Sequence, residues 1–199
     1  MAVTKIKGTS SFTNLTKYDS FLAGNAAYSP SSYESIATVT TTAGATSVTF
    51  SSIAQTYQSL QVRYIARRND TGNFYLYIKP NGDTGATNKA YHELKGDGST
   101  VTATGASAGS LIELARATSA TQSSGIFGVG IIDIQDYTNT TRNKTIRTFS
   151  GYDANGSGEV WLASGFMTST AALTSIEITG GGDPFAAGCV FALYGIKGS

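Results

Sequence analysis

The sequence predicts an all-β protein: an antiparallel β-sandwich of jelly-roll type preceded by an extended or partly helical N-terminal arm. Three observations lead there. From Ser35 onward apolar and polar residues alternate with the period of two expected of strands. Clusters rich in Gly, Asn and Asp separate these runs, as turns do in sandwiches and jelly rolls. No long stretch carries the helical period of 3.6 residues. The length of 199 residues fits one domain, or one domain plus an arm, because domains cluster at ~100–200 residues.

The first segment, residues 1–33, differs from the rest. Phe12, Leu15, Tyr18, Phe21 and Leu22 are isolated hydrophobes, and Ser29-Pro30-Ser31-Ser32 closes the segment. Their spacing suits one short helix ended by Gly24 or Asn25. A helix that short is not stable alone in water, so these five residues are expected to anchor the arm on a partner chain or on its own domain.

Residues 34–199 form the expected sandwich domain. In Leu60-Gln61-Val62-Arg63-Tyr64-Ile65-Ala66-Arg67, the residues Leu60, Val62, Tyr64 and Ala66 face the core, while Gln61, Arg63 and Arg67 face water. Phe74-Tyr75-Leu76-Tyr77-Ile78-Lys79 repeats the pattern, with Tyr75 and Tyr77 outward. Further strands are expected at 46–50, 90–95, 110–115, 126–134, 145–149, 160–166, 173–179 and 189–196. Two runs, 126–134 and 189–196, are apolar on both parities. Such strands sit centrally in a sheet, and Gly128 and Gly130 mark places where another group approaches closely. Strands greasy on both faces also suit symmetric assembly.

Composition narrows the function. Charged residues are 14% of the chain, and roughly a quarter is Ser or Thr, a bias typical of secreted or viral β proteins. With 14 Lys+Arg against 13 Asp+Glu, there is no basic field of the size nucleic acid requires. The single cysteine, Cys189, forbids an intrachain disulfide and reads as a small buried apolar residue. No apolar run reaches the ~18 residues of a membrane span, and Met1-Ala2-Val3-Thr4-Lys5 lacks the apolar run expected of a secretory signal. Assembly in a cytoplasm is expected.

The tests for chemistry point away from catalysis. His92 and Glu93 are adjacent on a strand and so face opposite sides. Gly105-Ala106-Ser107-Ala108-Gly109 matches a nucleophile-elbow spacing but reads as a small-residue loop without the strand-to-helix setting. Asp153-Ala154-Asn155-Gly156-Ser157-Gly158 opens like a calcium loop, yet its twelfth position is Ser164 where that loop needs Glu; a glycine turn is the better reading. Asp133 or Asp136 is expected to hold Arg142, Lys144 or Arg147 across a hairpin. The cluster Arg63, Arg67 and Arg68 reads as a solvated or cross-strand face. No catalytic residue, cofactor or metal site is expected.

Several segments together resemble a family of virion proteins from marine and cyanobacterial tailed phages. They are Tyr18-Asp19-Ser20-Phe21-Leu22-Ala23-Gly24-Asn25, Tyr33-Glu34-Ser35-Ile36-Ala37-Thr38-Val39, Phe50-Ser51-Ser52-Ile53, Leu60-Gln61-Val62-Arg63, Asn81-Gly82-Asp83, Ile131-Ile132-Asp133-Ile134, Asp136-Tyr137 and the closing Phe191-Ala192-Leu193-Tyr194-Gly195-Ile196-Lys197. The resemblance implies a non-enzymatic virion component: a capsid decoration, a short fibre or an attachment module, located in a virion assembled in the host cytoplasm. Expected partners are further copies of the chain, with a trimer favoured, and capsid or tail proteins. A glycan- or receptor-binding fibre module is the alternative. Tyr75, Tyr77, Tyr91 and Trp161 would then contact a host-surface glycan or another subunit. A polysaccharide-degrading enzyme is the remotest reading, and neither nucleic acid binding nor membrane insertion is expected.

Overall fold

The computed structural model describes residues 32–71, 75–85, 88–109 and 112–198. The five anchoring residues assigned to the arm, Phe12, Leu15, Tyr18, Phe21 and Leu22, lie outside the described residues. The described chain is all strand and turn. In order, the strands are β1 (Tyr33–Thr40), β2 (Ser47–Phe50), β3 (Ser59–Ala66), β4 (Tyr75–Pro80), β5 (Lys89–Gly96) and β6 (Val101–Gly109). They continue with β7 (Ile112–Arg116), β8 (Gly128–Gln135), β9 (Lys144–Asp153), β10 (Gly158–Met167), β11 (Ile176–Thr179) and β12 (Val190–Ile196).

These strands form two antiparallel sheets. The larger has the order β1-β12-β3-β8-β9-β10-β5-β6, and the smaller β2-β11-β4-β7. Period-two burial builds the core between them. On β3, Leu60, Val62, Tyr64 and Ala66 are buried while Arg63 and Ile65 are exposed. They meet Phe191 and Leu193 of β12 and Ile132 and Ile134 of β8. Leu76, Ile78, Ile176 and Ile178 come from the smaller sheet, all within one buried cluster. Each Leu, Ile, Val or Phe side chain removed from water here contributes roughly 1.5–3 kcal/mol. Both runs that are apolar on two parities occupy interior places, β8 between β3 and β9, and β12 between β1 and β3.

Tyr64 shows how tightly this core is specified. Its ring stacks on Phe191 at 5.8 Å and its hydroxyl donates to the Arg116 carbonyl at 2.6 Å. Burial pushes the phenol above its ordinary pKa. A Cβ at position 130 would lie 2.5 Å from the Tyr64 hydroxyl, so the neighbouring strand must carry glycine there.

Turns and loops follow from local chemistry. Asn155 and Gly156 (φ 56° and 113°) occupy the left-handed region, as a two-residue hairpin turn requires, and Asn81 and Gly82 (φ 52° and 65°) do the same in the tight turn that ends β4, where Asp83 N–H donates to the Pro80 carbonyl at 2.9 Å. The segment from Asp153 is therefore the β9–β10 turn, with Ala154 N–H donating to the Ser157 carbonyl at 2.6 Å.

Three features differ from the expectation. Residues 101–109 form strand β6, so Ser107 lies on a sheet edge opposite Ala90 and not in a loop. Arg67 and Arg68 are buried. Arg67 donates to the carbonyls of Gln122, Ser123 and Ile126 at 2.7–3.1 Å, while Arg68 pairs with Asp70 and Asp183. The strand ends at Ala66, so the alternation no longer governs where these two arginines point. Arg142 does pair with Asp136, at 2.8 Å.

Candidate functional site

The inner face of the larger sheet makes the core; its outer face carries the least ordinary chemistry in the molecule. Cross-strand register places side chains of successive strands in rows. One outer row runs Arg63, Ile131, Phe149, Leu162, Leu94 and Ala103 across β3, β8, β9, β10, β5 and β6. The next runs Ile65, Val129, Gly151, Val160, Gly96 and Val101. Phe149 is 57% exposed, Leu162 52% and Val101 72%, and Ile65, Val129, Ile131, Val160 and Leu94 are exposed as well. Scattered exposed hydrophobes are normal, but a contiguous apolar area of this extent is what interaction surfaces present.

The one charged residue in these rows is turned aside. Arg63 donates to the Gln61 side chain at 2.7 Å, and its guanidinium sits 5.2 Å from the Tyr33 ring and 5.1 Å from that of Tyr194. Its head thus leaves the apolar rows and only the aliphatic stem remains over them. Gly151 interrupts the second row and opens a hollow of about 600 Å³ walled by Ile65, Val129, Ile131, Phe149 and Val160. The backbone enforces that gap, since a Cβ at Gly151 would meet the Glu159 carbonyl oxygen at 2.3 Å.

A polar row borders the apolar ones: Gln61, Asp133, Arg147, Ser164, His92 and Gly105. Gln61 donates to Asp133 at 2.8 Å. His92 is exposed beside Ser164, while Glu93 points to the opposite, buried side. Arg147 stands between Asp133 and Ser164, so the row does not order acid, base and nucleophile as a catalytic relay needs. Among the described residues no group of three or more His, Cys, Asp or Glu side chains is placed to hold a metal ion.

The four aromatic residues singled out from sequence lie elsewhere. Trp161 is 2% exposed. The Arg116 guanidinium lies 3.4 Å from its ring centroid and 3.7 Å from that of Tyr75, a cation held between two π faces. Tyr75 meets Trp161 edge-on at 5.9 Å and lies 6.2 Å from Tyr77. Tyr91, on β5, is half-buried against the core. The structure therefore brings Tyr75 and Trp161 together on Arg116, with Tyr77 beside Tyr75. The residues that sequence reasoning passed over are Phe149, Val160, Leu162 and Leu94. Their signal was legible: Val160-Trp161-Leu162 is apolar on both parities, as β8 is.

Fold and surface together define a two-sheet, antiparallel, all-β protein with a broad apolar face on its larger sheet. Comparison with protein-family models, curated proteins and solved structures gives no match to the chain.

Proposed function

We propose that this chain is a non-enzymatic structural subunit of a tailed-phage virion, a capsid decoration or short fibre that assembles with further copies of itself. The observation that carries the reading is the two-row apolar face, which costs solubility in a lone chain and is repaid only when another surface covers it. The resemblance stated above supplies the virion context, and residues 1–33 are assigned the anchoring role. The strand order supports a jelly-roll architecture. With hairpins β5–β6 and β9–β10 set aside, the remaining eight strands run first-eighth-third-sixth in one sheet and second-seventh-fourth-fifth in the other. That is the order two interlocked Greek keys produce, a plan shared by viral capsid and lectin domains.

Quantitative mass spectrometry of purified virions of the encoding phage tests the proposal. The expected result is the chain at a fixed copy number per particle; its absence from intact virions would overturn the reading.

A second reading, glycan binding, has one observation in its favour. A polar concavity of about 540 Å³ on the smaller sheet is lined by Thr46, Ser47, Lys79, Glu177 and Gly181, and the Tyr77 ring abuts Gly181. Hydroxyls, an ion pair and a neighbouring aromatic ring are the groups that hold sugars. Glycan-array binding that Tyr77→Ala abolishes would establish it, and an array without signal would remove it.

A further inference from the structure

The outer face of the larger sheet is complementary to itself, and we infer that two copies of this chain pair face to face about a two-fold axis crossing β9 at Ser150. The inference rests on the self-assembly proposed above and names its geometry. An isologous contact requires each residue to meet a partner related by the same operation. With the axis in the interface plane and perpendicular to the strands, position 150 + n of one copy lies over 150 − n of the other. Parity puts 145, 147, 149, 151 and 153 of β9 on the outer side, since Lys144, Ile146, Thr148 and Ser150 are buried.

The matches on β9 and on the strands β8, β10, β5 and β6 beside it are complementary in size or charge, and on β3 the aliphatic stem of Arg63 covers Ile65. Phe149, a projecting knob, lies over Gly151 of the other copy and its enforced hollow. Arg147 lies over Asp153 of the other copy; both are exposed, and neither makes an ion pair among the described residues. The neighbouring strands follow the same exchange of rows. Leu94 covers Gly96, Ile131 covers Val129, Leu162 covers Val160, and Ala103 covers Val101. The two glycines of one row thus sit beneath Phe149 and Leu94 of the other, and the smallest side chain of the first row, Ala103, meets valine. A face without this order would set like against like and leave voids or clashes.

The size is adequate. The six matched strands at ~4.8 Å by about seven residues at ~3.4 Å make a face of roughly 700 Å², close to the ~800 Å² per partner of a standard stable interface. Two sheets facing each other in this way keep their strands within about 30° of alignment.

The test uses the full-length chain in sedimentation and native mass spectrometry. Wild type is expected as dimers or even-numbered assemblies. Gly96→Leu fills a hole where a Cβ meets nothing within 4 Å in its own chain, so it spares the fold. It should raise the dimer dissociation constant at least about tenfold. Exchanging knob and hole in one chain, Leu94→Gly with Gly96→Leu, should restore pairing. Separately, Arg147→Cys with Asp153→Cys should yield covalent dimers with a bis-maleimide of about 12 Å. Within one chain those positions lie ~20 Å apart along a strand, and Cys189 is buried and silent.

A monomeric wild type, a trimer, or a Gly96→Leu chain that pairs as well as wild type would overturn the inference. So would failure of the exchange variant to recover, or absence of the cross-link. Loss of pairing in solution with normal presence in virions would refute this geometry alone, whereas absence from virions would refute the proposed function.

Discussion

Arg67 donates three hydrogen bonds to carbonyls of the 122–126 loop from a largely buried position. Arg67→Met leaves those acceptors without a donor, so urea denaturation should show a loss of about 2–4 kcal/mol; an unchanged midpoint would mean that water replaces the guanidinium. Glycines make a sharper contrast. Gly130→Ala forces a methyl to within 2.5 Å of Tyr64 in the core and should cost about 1–3 kcal/mol in the same measurement. Gly96→Ala meets open space and should stay within about 0.5 kcal/mol of wild type. The sequence marked Gly130 as a place of close approach because it interrupts an apolar strand. It could not mark Arg67 as buried, since Leu60 to Ala66 alternate so regularly that the end of the strand is invisible.

The β5–β6 hairpin shows both what pattern reveals and where it stops at the scale of elements. Strand β5 was readable from Tyr91, Glu93 and Leu94. Strand β6, Val101-Thr102-Ala103-Thr104-Gly105-Ala106-Ser107, was not: nothing in it contrasts strongly enough to show a period of two. Residues 101–107 are exposed on both faces, which is why small residues suffice there. The turn joining the strands is organised by Asp97, whose carboxylate accepts N–H bonds from Thr100 at 2.7 Å and Ser99 at 3.0 Å. Those bonds hold its pKa down to about 2 from the ordinary 3.8. A depressed folded-state pKa stabilises above the unfolded value and ceases to as pH falls through the folded one. The hairpin should therefore keep its turn above about pH 4 and lose that contribution on the way to pH 2. Carboxyl NMR titration of Asp97 checks this; a midpoint near 4 would mean that the turn bonds are not formed in solution.

At the scale of the described domain, the division of labour is between two facing antiparallel sheets and two hairpins, β9–β10 and β5–β6, that extend the larger of them. The added strands β9, β10, β5 and β6 lie side by side beyond β8, and they carry most of the apolar rows. The all-β class and most strand positions could be read from alternation and turns. The extra apolar face could be sensed only where both parities were greasy, because a sequence does not say which of two apolar faces is covered. Deleting residues 1–32 should leave a cooperatively folding domain from β1 onward that fails to join virions; normal incorporation would remove the anchoring role from that segment. The most direct measurement of the central claim is a cryo-electron microscopy map of the assembled virion at side-chain resolution. Protein is expected to cover the outer face of the larger sheet around Phe149 and Gly151. A map in which that face lies open to solvent, or in which the chain has no density, would contradict it.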